Sequence, residues 1–158
     1  MIKALISDFS KVLCFRKDDP TAGKLNEHHE VLQQKEDYNF WNHFTLNTEL
    51  LNYYQEISSN IDVYIFTSEY IQEYPPVMEK LKPKFKDIFS AMRLGVSKAD
   101  PQAYIKLAGL INQSPGEIIF IDDTLPNIQA AKEAGLITVH YCDNKSVMKE
   151  IDAIINKS

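Results

Sequence analysis

Short apolar runs along the chain predict the strands of a sheet. Each run is rich in Ile, Val, Phe or Tyr, and the clearest lie at residues 2–7, 61–67, 117–121 and 136–141. Three of these runs are nearly continuous rather than alternating, which is typical of strands that are covered on both faces. A weaker run at residues 88–92 predicts a fifth strand.

Helical patterns fill the segments between these runs. They lie at residues 45–58, 71–82, 100–110, 124–134 and 146–155. Pro75 and Pro76 interrupt the second pattern, so we expect a helix to begin again at the prolines. The fourth pattern has Pro126 near its start and Gly135 just beyond its end, as helix termini prefer.

Strands that alternate with helices predict βαβ units, and therefore an α/β fold with a mostly parallel central sheet. Residues 19–44 do not fit this alternation, because they combine a charged loop, a helical pattern from about residue 24 to 36 and an aromatic cluster. We interpret this segment as a small helical insertion, with residues 1–18 and 45–158 forming the core. Its adjacent His28 and His29 would point about 100° apart on a helix, so we interpret them as a solvated pair.

Composition, net charge and the length of the apolar runs argue against some classes of protein. The chain has 158 residues, a length usual for one domain, and a net charge of −5, which argues against a nucleic-acid-binding surface. No apolar run approaches the length of a membrane span or a signal peptide, so we expect neither a membrane partner nor export. Two distant cysteines, Cys14 and Cys142, form no metal-binding spacing and agree with a reducing, cytoplasmic location.

Polar side chains follow the predicted strands where a parallel sheet binds its ligands, at the carboxyl ends. Asp8 follows the first strand, Thr67 and Ser68 end the second, and the pair Asp122–Asp123 follows the run at 117–121. Lys98 lies in the loop after the weaker run. Each of these residues alone is more often a helix cap, a turn residue or a solvated side chain.

Their joint occurrence at successive strand ends favours a site. Two carboxylates at 4 Å would repel each other by about 4 kcal/mol at an effective dielectric constant near 20. A divalent cation would remove that cost and use the carboxylates as hard oxygen ligands.

Four segments, in this order, resemble the motifs of the haloacid dehalogenase-like hydrolase superfamily, subfamily I type. The segments are Asp8-Phe9-Ser10-Lys11-Val12-Leu13, Phe66-Thr67-Ser68, Gly95-Val96-Ser97-Lys98-Ala99-Asp100-Pro101 and Phe120-Ile121-Asp122-Asp123-Thr124. The resemblance covers nearly all of the chain outside the insertion. It implies a Rossmannoid three-layer α/β/α sandwich with a small helical cap, and a phosphatase that acts on a small phosphorylated metabolite.

The resemblance also implies roles for the residues at the strand ends. Asp8 would be the nucleophile that becomes a phosphoaspartate. Mg²⁺ would be held by Asp8, Asp123, the main-chain carbonyl of Ser10 and Asp122. Phosphoryl oxygens would be bound by Thr67, by the backbone that follows it at Ser68, and by Lys98, with Asn127 as a supporting contact.

Ser10 departs from the family pattern. Phosphatases of the family carry an Asp there, which protonates the leaving group and later activates water. Such a general acid or base contributes about 10²–10⁴ in rate, and a serine hydroxyl replaces it poorly. Either water or another group then transfers the proton, or turnover is slow, and substrates with acidic leaving groups would be least impaired.

Two other functions stay open at this point. Ser10 favours a catalytically impaired protein that binds metal and phosphate, or regulates, without efficient turnover. Carbon–halogen cleavage also uses an Asp nucleophile, but the family's dehalogenases bind the halide with an arginine. Neither Arg16 nor Arg93 lies in a sequence context that matches that arginine.

For the oligomeric state, we expect a monomer or a homodimer.

Overall fold

The computed structural model describes residues 1–157. Within that range seven strands are formed: β1 (Ala4–Ser7), β2 (Cys14–Arg16), β3 (Phe44–Leu46), β4 (Asp62–Thr67), β5 (Asp87–Ser90), β6 (Ile118–Asp122) and β7 (Ile137–His140). The α-helices of the same range are α1 (Leu25–Leu32), α2 (Phe40–His43), α3 (Thr48–Ile57), α4 (Pro75–Leu81), α5 (Ala91–Leu94), α6 (Pro101–Leu110), α7 (Leu125–Glu133) and α8 (Asn144–Ile155). Among these residues, every helix is too short or too polar to cross a membrane.

Five strands form a parallel sheet in the order β5-β4-β1-β6-β7. In its centre, Ile6 of β1 is in register with Tyr64 of β4 and with Phe120 of β6. All five strands run in the same direction, so their carboxyl ends lie at one edge. This confirms the predicted α/β fold with its parallel sheet.

Both faces of the sheet are covered, which explains the continuous apolar runs. Leu5 and Ile65 point to the core layer that includes Leu50 of α3 and Ile151 of α8. Their neighbours Ala4, Ile6, Tyr64 and Phe66 point to the opposite layer, which is closed by Tyr104 and Leu107 of α6 and by Ala130 and Ala131 of α7. The molecule is therefore a three-layer α/β/α sandwich, as the resemblance implied.

Some predicted boundaries were wrong in detail. The fifth strand ends at Ser90, because Ser90 caps a short helix, α5, by accepting a hydrogen bond from the Arg93 N–H. The helical pattern at 45–58 begins instead with strand β3, and the helix starts at Thr48 after the Asn47 cap. The expected restart at the prolines is confirmed, since α4 begins at Pro75 after a 3₁₀ turn.

A short antiparallel pair of strands that the apolar pattern did not predict flanks the insertion. Strand β2 pairs with β3, so that Cys14 faces Leu46 and Arg16 faces Phe44. The pairing brings the two ends of segment 19–44 together, and within the segment lie helices α1 and α2. The division of the chain into core and cap at these positions stays a prediction.

The interpretation of His28 and His29 as a solvated pair was wrong for His29. Its side chain is buried, and its Nδ1 lies 2.7 Å from the hydroxyl of Tyr38. The rings of Phe40 and Tyr74 also contact the imidazole. Helix α1 turns His29 toward the core because Leu25 and Leu32 lie on the same buried face.

Candidate active site

The carboxylate of Asp8 lies at the carboxyl end of the central strand. Strand β1 ends at Ser7, and the Asp8 N–H continues the ladder by donating to the carbonyl of Ile121 at 2.8 Å. Asp8 is 5% exposed. On one neighbouring strand β4 ends at the buried Thr67, and on the other β6 ends at the buried Asp122. The parallel register thus brings the predicted strand-end residues to one edge of the sheet.

Lys98 binds two of these carboxylates at once. Its ammonium Nζ lies 2.8 Å from Oδ1 of Asp8 and 2.6 Å from Oδ2 of Asp122, and its side chain is 3% exposed. Helix α6 holds the loop that carries Lys98, because the Tyr104 hydroxyl donates a hydrogen bond to the Lys98 carbonyl at 2.7 Å. Burying a lysine is costly, and these two ion pairs offset that cost.

Burial also controls the ionisation of the site. Burial raises the pKa of Asp8 to about 7, the Lys98 charge opposes that rise, and the neighbouring Asp122 adds to it. Burial alone would lower the pKa of Lys98, but Asp8 and Asp122 outweigh it and raise the pKa. The pKa of Asp123 is raised as well, first by burial and then by Asp122. Three acids therefore share one closely bound lysine, Lys98, and their mutual repulsion is only partly offset.

The two neighbouring acids of the fourth motif have different surroundings. Asp122 is fully buried, and its oxygens accept hydrogen bonds from the Thr124 N–H at 2.8 Å and from the Asn127 amide at 3.1 Å, besides contacting Lys98. Asp123 is half-buried and lines the cleft above the sheet edge. Asp122 thus anchors Lys98 from within, while Asp123 faces the space that a ligand would enter.

Three acids of the site lie close enough together to hold a metal ion. Among the described residues, one carboxylate oxygen each from Asp8, Asp122 and Asp123 lies within 4.8 Å of the others. Carboxylate oxygens are the hard ligands that Mg²⁺ prefers. A divalent cation there would offset the repulsion that Lys98 alone leaves uncompensated, so these residues fit such an ion.

A cleft of about 320 Å³ opens over Asp8. Acids, hydroxyls, two amides, two lysines and the start of helix α1 line it. The lining residues are Asp8, Ser10, Lys11, Gly23, Lys24, Leu25, Asn26, Thr67, Ser68, Glu69, Asp123, Thr124 and Asn127. The sequence-predicted residues thus lie together: six of them line the cleft, and the buried Lys98 and Asp122 lie next to Asp8. Their catalytic and binding roles stay predictions.

Several residues that line the cleft had no role predicted from the sequence, among them Lys11 and Asn26. Asn26 is buried, and its side-chain oxygen accepts hydrogen bonds from the N–H groups of Tyr70 and Ile71, at 3.1 and 2.7 Å. It joins the insertion to the loop that follows Thr67. The available signal was a polar residue next to Leu25 on the apolar face of a helical pattern. Lys11 had no such signal, because its importance lies in its backbone conformation.

Several known proteins are similar to about half of this chain, among them an epoxide hydrolase and a phosphatase. Bifunctional epoxide hydrolase 2 of Sus scrofa is 26% identical over 78 residues, which are 49% of this chain and 14% of that protein. A sesquiterpene phosphatase of Aspergillus oryzae is 31% identical over 71 residues, which are 45% of this chain and 36% of that protein. The matched region is therefore much shorter than either relative.

A solved structure shares the fold, and a family model matches most of the chain. A HAD family enzyme of Bacteroides thetaiotaomicron, solved in complex with magnesium and inorganic phosphate, superposes with a TM-score of 0.67 at 15% identity, over 90% of this chain and 95% of that one. The family model for haloacid dehalogenase-like hydrolases matches residues 4–135. Because this match spans well over half of the sequence, the chain belongs to the haloacid dehalogenase-like hydrolase family.

Proposed function

We propose that the protein is a Mg²⁺-dependent phosphohydrolase that cleaves a small phosphorylated metabolite through a phosphoaspartate at Asp8. The observation that carries this proposal is the Asp8 carboxylate, buried at the base of the cleft and held by Lys98 at 2.8 Å. Membership of a hydrolase family, the similarity to a phosphatase and the magnesium and phosphate bound by the Bacteroides enzyme support it.

Asp8 acts as the nucleophile in this proposal. One oxygen of Asp8 attacks phosphorus, the bond between phosphorus and the leaving oxygen breaks, and the leaving oxygen takes up a proton. A water oxygen then attacks the same phosphorus, the bond to Asp8 breaks, and inorganic phosphate departs. Lys98 contacts Oδ1 of Asp8, so Oδ2 is the oxygen that we expect to attack.

The other residues of the cleft bind and orient the substrate. The hydroxyls of Thr67 and Ser68, which line the cleft with Asp8, would donate hydrogen bonds to phosphoryl oxygens. Lys98 offsets negative charge on Asp8 as the phosphoryl group approaches. We further propose that segment 19–44 acts as a small cap, because its residues 23–26 line the same cleft.

Asp8, Asp123 and the main-chain carbonyl of Ser10 would hold Mg²⁺, with Asp122 as the fourth candidate ligand. When bound, Mg²⁺ would neutralise charge between the Asp8 carboxylate and the anionic phosphoryl group. The hydrogen bonds that Asp122 accepts from Thr124 and Asn127 would keep its oxygens oriented.

Ser10 determines how fast this reaction runs. With a hydroxyl where family phosphatases carry an Asp, the proton for the leaving group comes from water. Loss of a positioned general acid costs about 10²–10⁴ in rate, and the cost falls as the leaving group becomes more acidic. We expect aryl phosphates to be cleaved faster than alkyl phosphates.

The test is the hydrolysis of p-nitrophenyl phosphate with Mg²⁺ by the wild type and by Asp8→Asn. This substitution keeps the shape of the side chain but removes the nucleophile, so kcat should fall about a thousandfold or more. Asp37→Asn is the matched control, because Asp37 is exposed and outside the cleft. Equal rates for wild type and Asp8→Asn would contradict the proposal.

The hydroxyl at Ser10 favours one second candidate, a metal- and phosphate-binding or regulatory protein without efficient turnover. Phosphate binding with Mg²⁺, combined with no hydrolysis even by Ser10→Asp, would favour that function. Dehalogenation has less support, because no arginine of the described residues lines the cleft. Arg16 pairs with Asp18, and Arg93 pairs with Glu73.

A further inference from the structure

Lys11 has a backbone conformation that side-chain-bearing residues rarely adopt. Its φ is +62°, in the left-handed region that favours glycine because a Cβ crowds the backbone there. The turn is held by neighbouring hydrogen bonds, since the Lys11 N–H donates to the Cys14 carbonyl at 2.8 Å and a bridge joins Ser10 to Cys14. Such conformations concentrate at functional sites, where the surrounding structure enforces them.

The side chain at this position reaches the candidate active site. Lys11 is half-buried and lines the same cleft as Asp8 and Asp123. Its positive charge interacts electrostatically with the Asp123 carboxylate across the cleft, although the two groups form no ion pair.

Lys11 also differs from the other lysines near the cleft, because its charge is not paired. Lys98 is bound to two acids, and Lys24 pairs with Glu27 at 3.3 Å. Within residues 1–157, the Lys11 ammonium makes neither a hydrogen bond nor an ion pair. A half-buried cation without a partner, held at a cleft by a strained backbone, is suited to bind an anion from outside the protein.

We propose that Lys11 is a specificity-determining residue whose ammonium binds a second anionic group of the substrate, so that phosphomonoesters bearing a carboxylate or a second phosphate are preferred. This inference rests on the proposed function. Lys11 directly follows Ser10, which occupies the family's position for the proton donor to the leaving group. A charged group attached to the leaving oxygen would therefore meet Lys11, while the phosphoryl group engages the residues around Asp8.

The test compares two esters that differ chiefly by one carboxylate, 3-phosphoglycerate and glycerol 1-phosphate. Two variants of Lys11 separate charge from backbone strain: Lys11→Met removes the charge alone, and Lys11→Gly also relieves the left-handed strain. The matched control is Asn112→Gly, because Asn112 has a similar φ of +55° and does not line the cleft. Steady-state kinetics with Mg²⁺ and thermal melting are measured for each protein.

Wild type should prefer 3-phosphoglycerate. Both Lys11 variants should lower kcat/KM for 3-phosphoglycerate about tenfold or more, while kcat/KM for glycerol 1-phosphate stays within about threefold. Lys11→Gly should hold or raise the Tm, by up to about 2–4 °C, since a glycine-favouring conformation is restored. Asn112→Gly should leave the preference between the esters unchanged.

An equal loss for both esters, or no loss for either, would overturn the role of Lys11 while leaving the proposed function intact. A wild type that hydrolyses neither ester nor p-nitrophenyl phosphate in an Asp8-dependent way would overturn the proposed function, and the inference with it.

Discussion

Replacing Lys98 by methionine tests the electrostatic core of the site. The substitution keeps a long, unbranched side chain but removes the ammonium that lies 2.8 Å from Asp8 and 2.6 Å from Asp122. At an effective dielectric constant near 20, each contact is worth about 6 kcal/mol of gross attraction, most of which offsets the desolvation of the buried charges. Removing one partner of such a pair costs about 3–5 kcal/mol, because the remaining carboxylates stay buried without a counter-charge.

The free energy of unfolding is measured by urea denaturation with EDTA present, so that no metal replaces the lysine. Lys106→Met is the matched control, because Lys106 is exposed and its ammonium donates a hydrogen bond to the Leu94 carbonyl rather than pairing with an acid among the described residues. We expect the control to stay within about 0.5 kcal/mol of the wild type. Adding Asp122→Asn to Lys98→Met should cost little further or restore stability, since it removes one of the uncompensated charges.

The reasoning would be refuted if the free energy of unfolding of Lys98→Met lay within about 0.5 kcal/mol of the wild-type value. Such a result would mean that the buried carboxylates do not depend on Lys98. A loss equal to that of Lys106→Met would lead to the same conclusion.

Three further predictions concern the cleft and the insertion. Ser10→Asp should raise kcat more for phenyl phosphate, whose phenol is a poor leaving group, than for p-nitrophenyl phosphate. Steady-state assays that show equal gains, or none, would mean that another group supplies the proton. Beryllofluoride with Mg²⁺ should raise the Tm of the wild type, because this phosphoaspartate mimic binds the native state. Asp123→Asn should abolish the shift in Tm. A shift that persists in the variant would argue against Asp123 as a metal ligand. The pKa of His29 is lowered by burial from its ordinary value of 6.5, so the unfolded chain takes up a proton there before the folded protein does as the pH falls. The free energy of unfolding should therefore decrease as the pH drops below about 6.5, and it should decrease less for His29→Gln. Urea unfolding of both proteins at pH 7 and pH 5 measures this difference. An identical pH dependence of the two proteins would contradict the assignment to His29.

The fold could be predicted from the sequence because its strands are buried on both faces. Ile119 and Phe120 belong to opposite core layers, so their strand has no polar face, and apolar runs of this kind mark a covered parallel strand. The short strands β2 and β3 gave no comparable signal. Their three-residue pairing depends on where the chain leaves and re-enters the core, which is tertiary information.

The convergence of the strand-end residues could also be predicted, but the contacts among their side chains could not. Strand ends in a parallel sheet share an edge, so Asp8 and the acid pair were expected to lie close together. Sequence spacing does not reveal that Lys98 binds Asp122 rather than Asp123, because the choice depends on side-chain direction after β6. Likewise, periodicity placed His29 on a helix but did not reveal the aromatic contacts that bury it.

Trapping the covalent intermediate tests the proposed mechanism most directly. The protein is mixed with p-nitrophenyl phosphate and Mg²⁺, quenched in acid and reduced with borohydride, which converts an aspartyl phosphate to homoserine. Peptide mass spectrometry should then find homoserine at position 8, dependent on both substrate and Mg²⁺. Steady hydrolysis with position 8 unmodified, or with the modification at another acid, would contradict Asp8 as the nucleophile.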